Sequence, residues 1–316
     1  MTIDGPVVFV HAHPDDEAIF TGGSLVRLAA AGVDTVLVVA TGGELGEVRP
    51  GFAPEAAPPG SEAALPGAGP APAASGSTPT STSTSTSTSD PIPATSTSAP
   101  GDSADPSAAA ADLGDLGALR RRECLDAAAV LGVGRTEFLS YRDSGMAGDP
   151  ANHAPGSFWT APVTEAADRL AGLLASVGAS AVVGYDDTGI YGHPDHIQVT
   201  RVTRAAARLA GVATVYGATV DREYLHFVET HLVEEAVLAG DLGLVRSRIG
   251  VPSVEVATTV AVHDVLDHKR RAMAAHASQI PESASALRLP DDRFADVYGL
   301  EWYVREGPPG PLDRLG

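Results

Sequence analysis

Short runs of consecutive apolar residues alternate along this chain with stretches whose apolar positions recur every three or four residues. The runs at residues 7–11 and 35–40, the second centred on Val-Leu-Val-Val, predict strands, as do 136–139, 181–184 and 256–262. The helical period predicts helices over 24–31, 119–131 (ended by Gly132), 164–177, 196–209 and 265–277. Continuously apolar strands alternating with amphipathic helices imply an α/β fold, a largely parallel sheet covered by helices on both faces. In such sheets, sites form in the crevice beyond the carboxyl ends of the strands. The residues just after each strand are therefore the ones that matter.

One segment breaks the pattern. From about residue 51 to 115 the chain consists of Ala, Pro, Gly, Ser and Thr, with an alternating Ser/Thr run at 80–89. Such a composition buries too little apolar area to offset the entropy of ordering it, so a disordered insertion is expected, either a tolerated loop or a lid. The preceding 50 or so residues are too few for a separate domain, about the lower limit for independent folding. A single domain over 1–316, interrupted by this insertion, follows. The segment holds seven acidic residues and no Lys or Arg, and the net charge of −19 leaves the rest of the chain acidic as well. That charge disfavours nucleic acid and anionic membrane surfaces as partners. The single cysteine, Cys124, permits no internal disulfide, and no apolar run is long enough to span a membrane, so a cytoplasmic protein is expected.

The chemistry-bearing residues cluster after two strands. The first strand runs into His11-Ala12-His13-Pro14-Asp15-Asp16-Glu17, and the strand at 181–184 leads to Tyr185-Asp186-Asp187 and then Tyr191-Gly192-His193-Pro194-Asp195-His196. Either segment alone could be no more than a helix N-cap, with Asp16 or Asp195 as the capping side chain. Two of them, both at strand ends of one sheet and both stiffened by proline, point instead to a metal site. Three N and O ligands with one open position is the pattern of catalytic zinc. A carboxylate beside such a ligand is placed to take a proton from an activated water. A Rossmann-type nucleotide binder is a third reading, suggested by strand, glycine and helix near the N-terminus, but Gly42, Gly43 and Gly46 do not fit Gly-x-Gly-x-x-Gly and the first strand is followed by His-Pro-Asp.

The paired His-Pro-Asp-Asp-Glu and His-Pro-Asp-His motifs resemble the PIG-L/LmbE family of zinc-dependent N-deacetylases. Further matching pieces are Gly22-Gly23-Ser24-Leu25, Thr41-Gly42-Gly43-Glu44, Arg120-x-x-Glu123, Tyr141-Arg142-Asp143-Ser144-Gly145, and Lys269 with His276-Ala277-Ser278-Gln279. The resemblance implies a three-layer, Rossmann-like fold with His13, Asp16 and His196 as zinc ligands; iron(II) suits the same donor set. It implies Asp15 as general base on a metal-activated water, and His193 as oxyanion stabiliser or acid with Asp195 orienting its ring. It further implies Tyr191 as a hydrogen-bond donor at the mouth, and Arg120 and Asp143 as contacts to sugar or inositol hydroxyls. For Arg120 a helix-surface ion pair is the plainer alternative, and Glu17 is expected to be structural.

The implied substrate is a small acetylated amino sugar, an N-acetylglucosamine unit. The 141–146 stretch is similar to enzymes of mycothiol biosynthesis. An S-conjugate amidase of that pathway is an alternative, although Phe20 stands where a lysine is expected in it. A non-catalytic sugar-binding protein is the other alternative; it would have lost a ligand or the base, and the sequence retains them all.

Overall fold

The computed structural model describes residues 5–48, 106–231, 249–281 and 284–316. Most of the segment assigned to the insertion lies outside the described residues. Strand β1 (Val7–His11) is buried at every position, and so are β2 (Thr35–Thr41) and β4 (Ala181–Tyr185). Consecutive Val, Leu and Phe side chains point alternately to the two faces of a strand, so burial throughout requires cover on both sides. With β3 (Arg135–Tyr141), β5 (Val215–Thr219), β6 (Thr258–Ala261) and β7 (Leu300–Glu306), these strands form a seven-stranded sheet of order β3-β2-β1-β4-β5-β7-β6. The first five are mutually parallel, whereas β7 runs antiparallel to both β5 and β6.

Among the described residues the α-helices are α1 (Asp16–Phe20), α2 (Gly22–Ala30), α3 (Pro106–Leu131), α4 (Val163–Val177), α5 (Gly189–Gly192), α6 (Pro194–Ala210) and α7 (Arg222–His231), followed by those at Leu266–Ala275, Ser285–Arg288 and Asp291–Tyr298. Helix α4 packs along α6, and α2 packs against Leu266–Ala275. The expected helix at 119–131 is the second half of α3, which starts at Pro106, inside the span that composition assigned to the insertion. It ends where expected, at Gly132, whose φ of +75° suits glycine. The sheet and its helices belong to one compact unit, Met1–Pro54 with Ser107–Gly316. Among the described residues, no helix is long and apolar enough to cross a membrane.

From β1 the chain winds outward through β2 to β3, and from β4 it winds the other way to β5. The carboxyl ends of β1 and β4 thus meet at the point where strand order reverses, and β1 and β4 are paired from Val7↔Ala181 to Phe9↔Val183. Both motifs leave the sheet there.

Candidate active site

The segment after β1 turns sharply. Asp15 has φ of +113°, a region that L side chains rarely adopt and that costs on the order of 1–3 kcal/mol. Its N–H donates to Glu17 Oε2 at 3.0 Å, and the other Glu17 oxygen lies 2.5 Å from His276 Nε2. Glu17 and His276 are fully buried. Glu17 therefore has the structural role expected of it: it holds the strained turn from below.

Four residues from β4, Gly189 (φ +62°) brings the backbone so close to α6 that a Cβ there would lie 2.7 Å from His196 Cβ. Ile190 follows at φ +65°, held by Asp186 Oδ1, which accepts its N–H at 3.0 Å, and by Gly250, whose N–H donates to its carbonyl at 2.7 Å. His193 caps α6 with Pro194 at the first helical position, where a missing N–H costs nothing, and His196 sits in the first turn.

These two devices bring the expected ligands together. Asp16 Oδ2 lies 3.5 Å from His13 Nδ1 and 3.4 Å from His196 Nε2, and it accepts the His13 N–H at 2.9 Å. All three side chains are buried. His13, His193 and His196 also form a group whose nitrogens lie close enough to share an ion, as do His13, Asp143, His193 and Asp195. Burial alone would raise the Asp16 carboxyl, but His196 and His13 beside it hold it well below the usual range. The donors fit a divalent cation: lone pairs of two imidazoles and one carboxylate, spaced too widely for closed hydrogen bonds. Buried His196 Nδ1, moreover, has no hydrogen-bond partner.

Asp15 is the residue before Asp16 in the same turn, and its carboxylate pairs with Arg120. Burial raises its carboxyl to about 6, with Arg120 pulling it down and Asp16 pushing it up. Arg120 is buried rather than on the helix surface: its guanidinium reaches Asp15 Oδ2 at 3.1 Å, the Pro14 carbonyl at 2.7 Å and the Gly43 carbonyl. One turn on, Glu123 accepts the N–H of Ser278 at 2.8 Å and its hydroxyl at 2.6 Å. Asp143 is likewise turned inward, accepting from Gly145 N–H at 2.8 Å, with Oδ1 3.7 Å from His13 Nε2. Burial opposes its ionisation, but His13 holds it well below the usual carboxylate range.

Asp195 differs from expectation in how it acts. Its carboxylate accepts the Ser144 N–H at 2.9 Å and hydroxyl at 2.5 Å, and approaches His13 Nε2 at 3.3 Å. The ring of His193 is instead oriented by the Asp195 backbone, whose N–H donates to Nδ1 at 3.1 Å. Burial, together with the neighbouring His13 and His196, pushes the His193 pKa down to about 2, so its ring is neutral. Because Nδ1 is an acceptor, the proton of the neutral ring resides on Nε2. The Tyr191 hydroxyl lies 3.2 Å from His196 Nε2. Tyr185 and Ser144 touch these groups as well; in sequence their only signal is their position, at the end of a strand or beside a motif carboxylate.

The profile of the PIG-L family, described as GlcNAc-PI de-N-acetylase, matches residues 8–64 and 75–207. A 1D-myo-inositol 2-acetamido-2-deoxy-alpha-D-glucopyranoside deacetylase of Thermobifida fusca is 31% identical over 97% of this chain and 97% of its own length. The protein of the same name from Salinispora arenicola is 32% identical, over 98% of this chain and 87% of its own. Among solved structures, a deacetylase of teicoplanin biosynthesis (15% identity, TM-score 0.53, 97% of this chain and all of that one) shares the fold. So does the A40926 pseudoaglycone deacetylase, at 13% identity and TM-score 0.53, covering 97% of this chain and 99% of that one.

Proposed function

The chain belongs to the PIG-L family, and on that premise we propose that it is a zinc-dependent N-deacetylase, cleaving the acetamide of an N-acetylglucosamine unit linked to inositol. The full-length similarity to deacetylases named for that glycoside supports the substrate. The observation that carries the chemistry is the meeting of His13, Asp16 and His196 at the β1/β4 switch point, with Asp15 in the same turn. We read residues 1–316 as one such domain, with 51–115 as an insertion.

In this reading His13, Asp16 and His196 hold the zinc, which when bound polarises the acyl carbonyl and acidifies water. Asp15, about one-fifth exposed and steadied by Arg120 on Oδ2, takes the proton of the attacking water. His193 presents Nε2–H to the developing oxyanion as a neutral donor, fixed in that tautomer by the Asp195 N–H. A single donor of this kind is worth on the order of 3 kcal/mol of transition-state stabilisation. Asp195 and Asp143 act from the far side of His13, where a carboxylate on the second ring nitrogen fixes the orientation of a ligand imidazole. Tyr191 stands beside His196 as a second hydroxyl donor.

The test is amine release from N-acetylglucosaminyl-inositol and related N-acetyl sugars, with and without chelator. Asp15→Ala is expected to lower kcat by about 10²- to 10⁴-fold while zinc stays bound. Near-normal turnover in that variant would remove Asp15 from the chemistry.

A further inference from the structure

Beyond the ligands and the base, one buried side chain touches two of the three proposed ligands. Tyr185 ends β4, the strand flanked by β1 and β5. Its hydroxyl makes three contacts, to Asp16 Oδ2 at 2.8 Å, to His11 Nδ1 at 3.0 Å and to the Ala12 N–H at 3.1 Å. A phenol has one hydrogen to give and two lone pairs to accept with. The Ala12 N–H can only donate, and an ionised Asp16 can only accept. The phenol hydrogen must therefore go to Asp16, and His11 must present Nδ1–H to the remaining lone pair. That tautomer leaves His11 Nε2 as the acceptor for the Thr21 hydroxyl, 2.9 Å away. The His11–Tyr185–Asp16 part of the chain thus has one direction available to it, while the Thr21 hydroxyl also has the Glu17 carbonyl at 3.2 Å.

The ring of Tyr185 does a second thing. It stacks on the imidazole of His196 with centroids 4.3 Å apart and planes 12° from parallel, while Phe20 meets both rings edge-on at 6.4 Å. His196 can neither tilt toward β4 nor turn about its Cβ–Cγ bond without leaving that face.

We propose that Tyr185 is a positioning residue of the metal centre: its hydroxyl orients Asp16 and its ring orients His196, coupling ligands from the two motifs through one rigid strand end. This rests on the reading of Asp16 and His196 as ligands. Outer partners of this kind set metal affinity by about 10- to 100-fold in comparable sites.

Cobalt(II) titration of the metal-free, full-length protein, read by visible absorption, separates the two ideas. Wild type is expected to bind the ion, and Asp16→Ala is expected to abolish binding. A wild type that takes up no cobalt overturns the ligand assignment, and the role of Tyr185 with it. Tyr185→Phe keeps the stacked ring and removes only the hydroxyl. It is expected to weaken cobalt binding by about 10- to 100-fold and to shift the d–d bands, with the melting temperature of the metal-free protein within a few degrees of wild type. Wild-type affinity and spectrum in Tyr185→Phe overturn the positioning role while leaving the ligands in place. Should Tyr185→Phe fail to fold, His11→Leu removes the donor that locks the phenol; a several-fold loss of affinity supports the proposal and none overturns it.

Discussion

Two clusters of buried charge, one including the first residue of α1 and the other at the start of α2, are built on opposite principles. At the antiparallel end of the sheet, Lys269 Nζ meets Glu301 Oε1 at 2.5 Å, and both side chains are almost wholly buried. Glu301 also accepts the N–H groups of Gly23 and Ser24, each at 2.8 Å, and the Tyr303 hydroxyl at 3.3 Å. Its carboxylate is closed on its partners: it neutralises the only lysine in the chain and satisfies two free donors at the start of α2. Around His13 the separations to Asp16, Asp195 and Asp143 are 3.3 to 3.7 Å, and four carboxylates crowd three imidazoles. The first cluster is a finished piece of structure. The second is a set of donors held apart by its scaffold, with the shifted pKa values that accompany functional sites.

The sharpest way to break this contrast is to cut the closed cluster. Glu301→Ala strands a buried ammonium and two helix N–H groups, and is expected to cost about 3–5 kcal/mol in urea unfolding. Lys269→Met combined with Glu301→Gln, which leaves no buried charge, should recover most of that loss. A cost below about 1 kcal/mol for Glu301→Ala would mean that the cluster is not closed at all.

The next effect belongs to the open cluster. Zinc at about 100 times its Kd is expected to stabilise wild type by about 2.7 kcal/mol, measured as the difference between unfolding curves with and without metal. The same increment is expected in the Lys269→Met/Glu301→Gln protein, and none in His196→Ala. If the increment followed Lys269 and Glu301 instead, the roles assigned to the two regions would be reversed.

The smallest effect tests whether burial is what separates them. Asp313, on the same sheet edge, accepts from Tyr216 at 2.5 Å, Thr258 at 2.6 Å and the Gly310 N–H at 2.7 Å, and pairs with Arg305. Burial pushes its carboxyl up, but these hydrogen bonds and Arg305 outweigh it and hold the group below the usual range. A depressed folded pKa gives stability that is complete above the unfolded value of about 4 and is lost as pH falls through the folded one. Asp313→Asn is therefore expected to cost about 1 kcal/mol or less at neutral pH, since solvent screens the site. That cost should vanish in acid, in paired urea titrations at several pH values.

The closed cluster was the harder of the two to read from sequence. Strands β1, β2 and β4 are apolar at nearly every position, so their expected bounds match the fold to within a residue, and the two motifs follow from where those strands stop. Strand β7, Leu-Glu-Trp-Tyr-Val-Arg-Glu, carries charge at three of seven positions, and β5 has a glycine at its centre. Neither shows a long apolar run, and one of the buried side chains of β7 is a glutamate whose counter-ion comes from a helix some thirty residues earlier. Asp15, Asp16, His193 and His196 were legible because each lies inside a motif. Arg120 and Asp143 were legible as important residues, while their inward-facing partners depend on α3 and the 141–146 turn folding back over the His13 loop. Tyr185 reads in sequence as one more aromatic residue at a strand end, and only the closeness of β1 reveals its contacts.

The place of β7 has a consequence for biosynthesis. It is the last strand in chain order, yet it lies between β5 and β6 rather than at an edge. At roughly 5–20 residues per second of translation, both motifs emerge many seconds before the strand that carries Glu301. Until that strand arrives, the start of α2 has no cap, Lys269 has no counter-ion, and β5 exposes a free edge to its neighbours. A nascent chain can thus bring its histidines together early, but it must be shielded from strand addition by other chains until β7 closes the sheet.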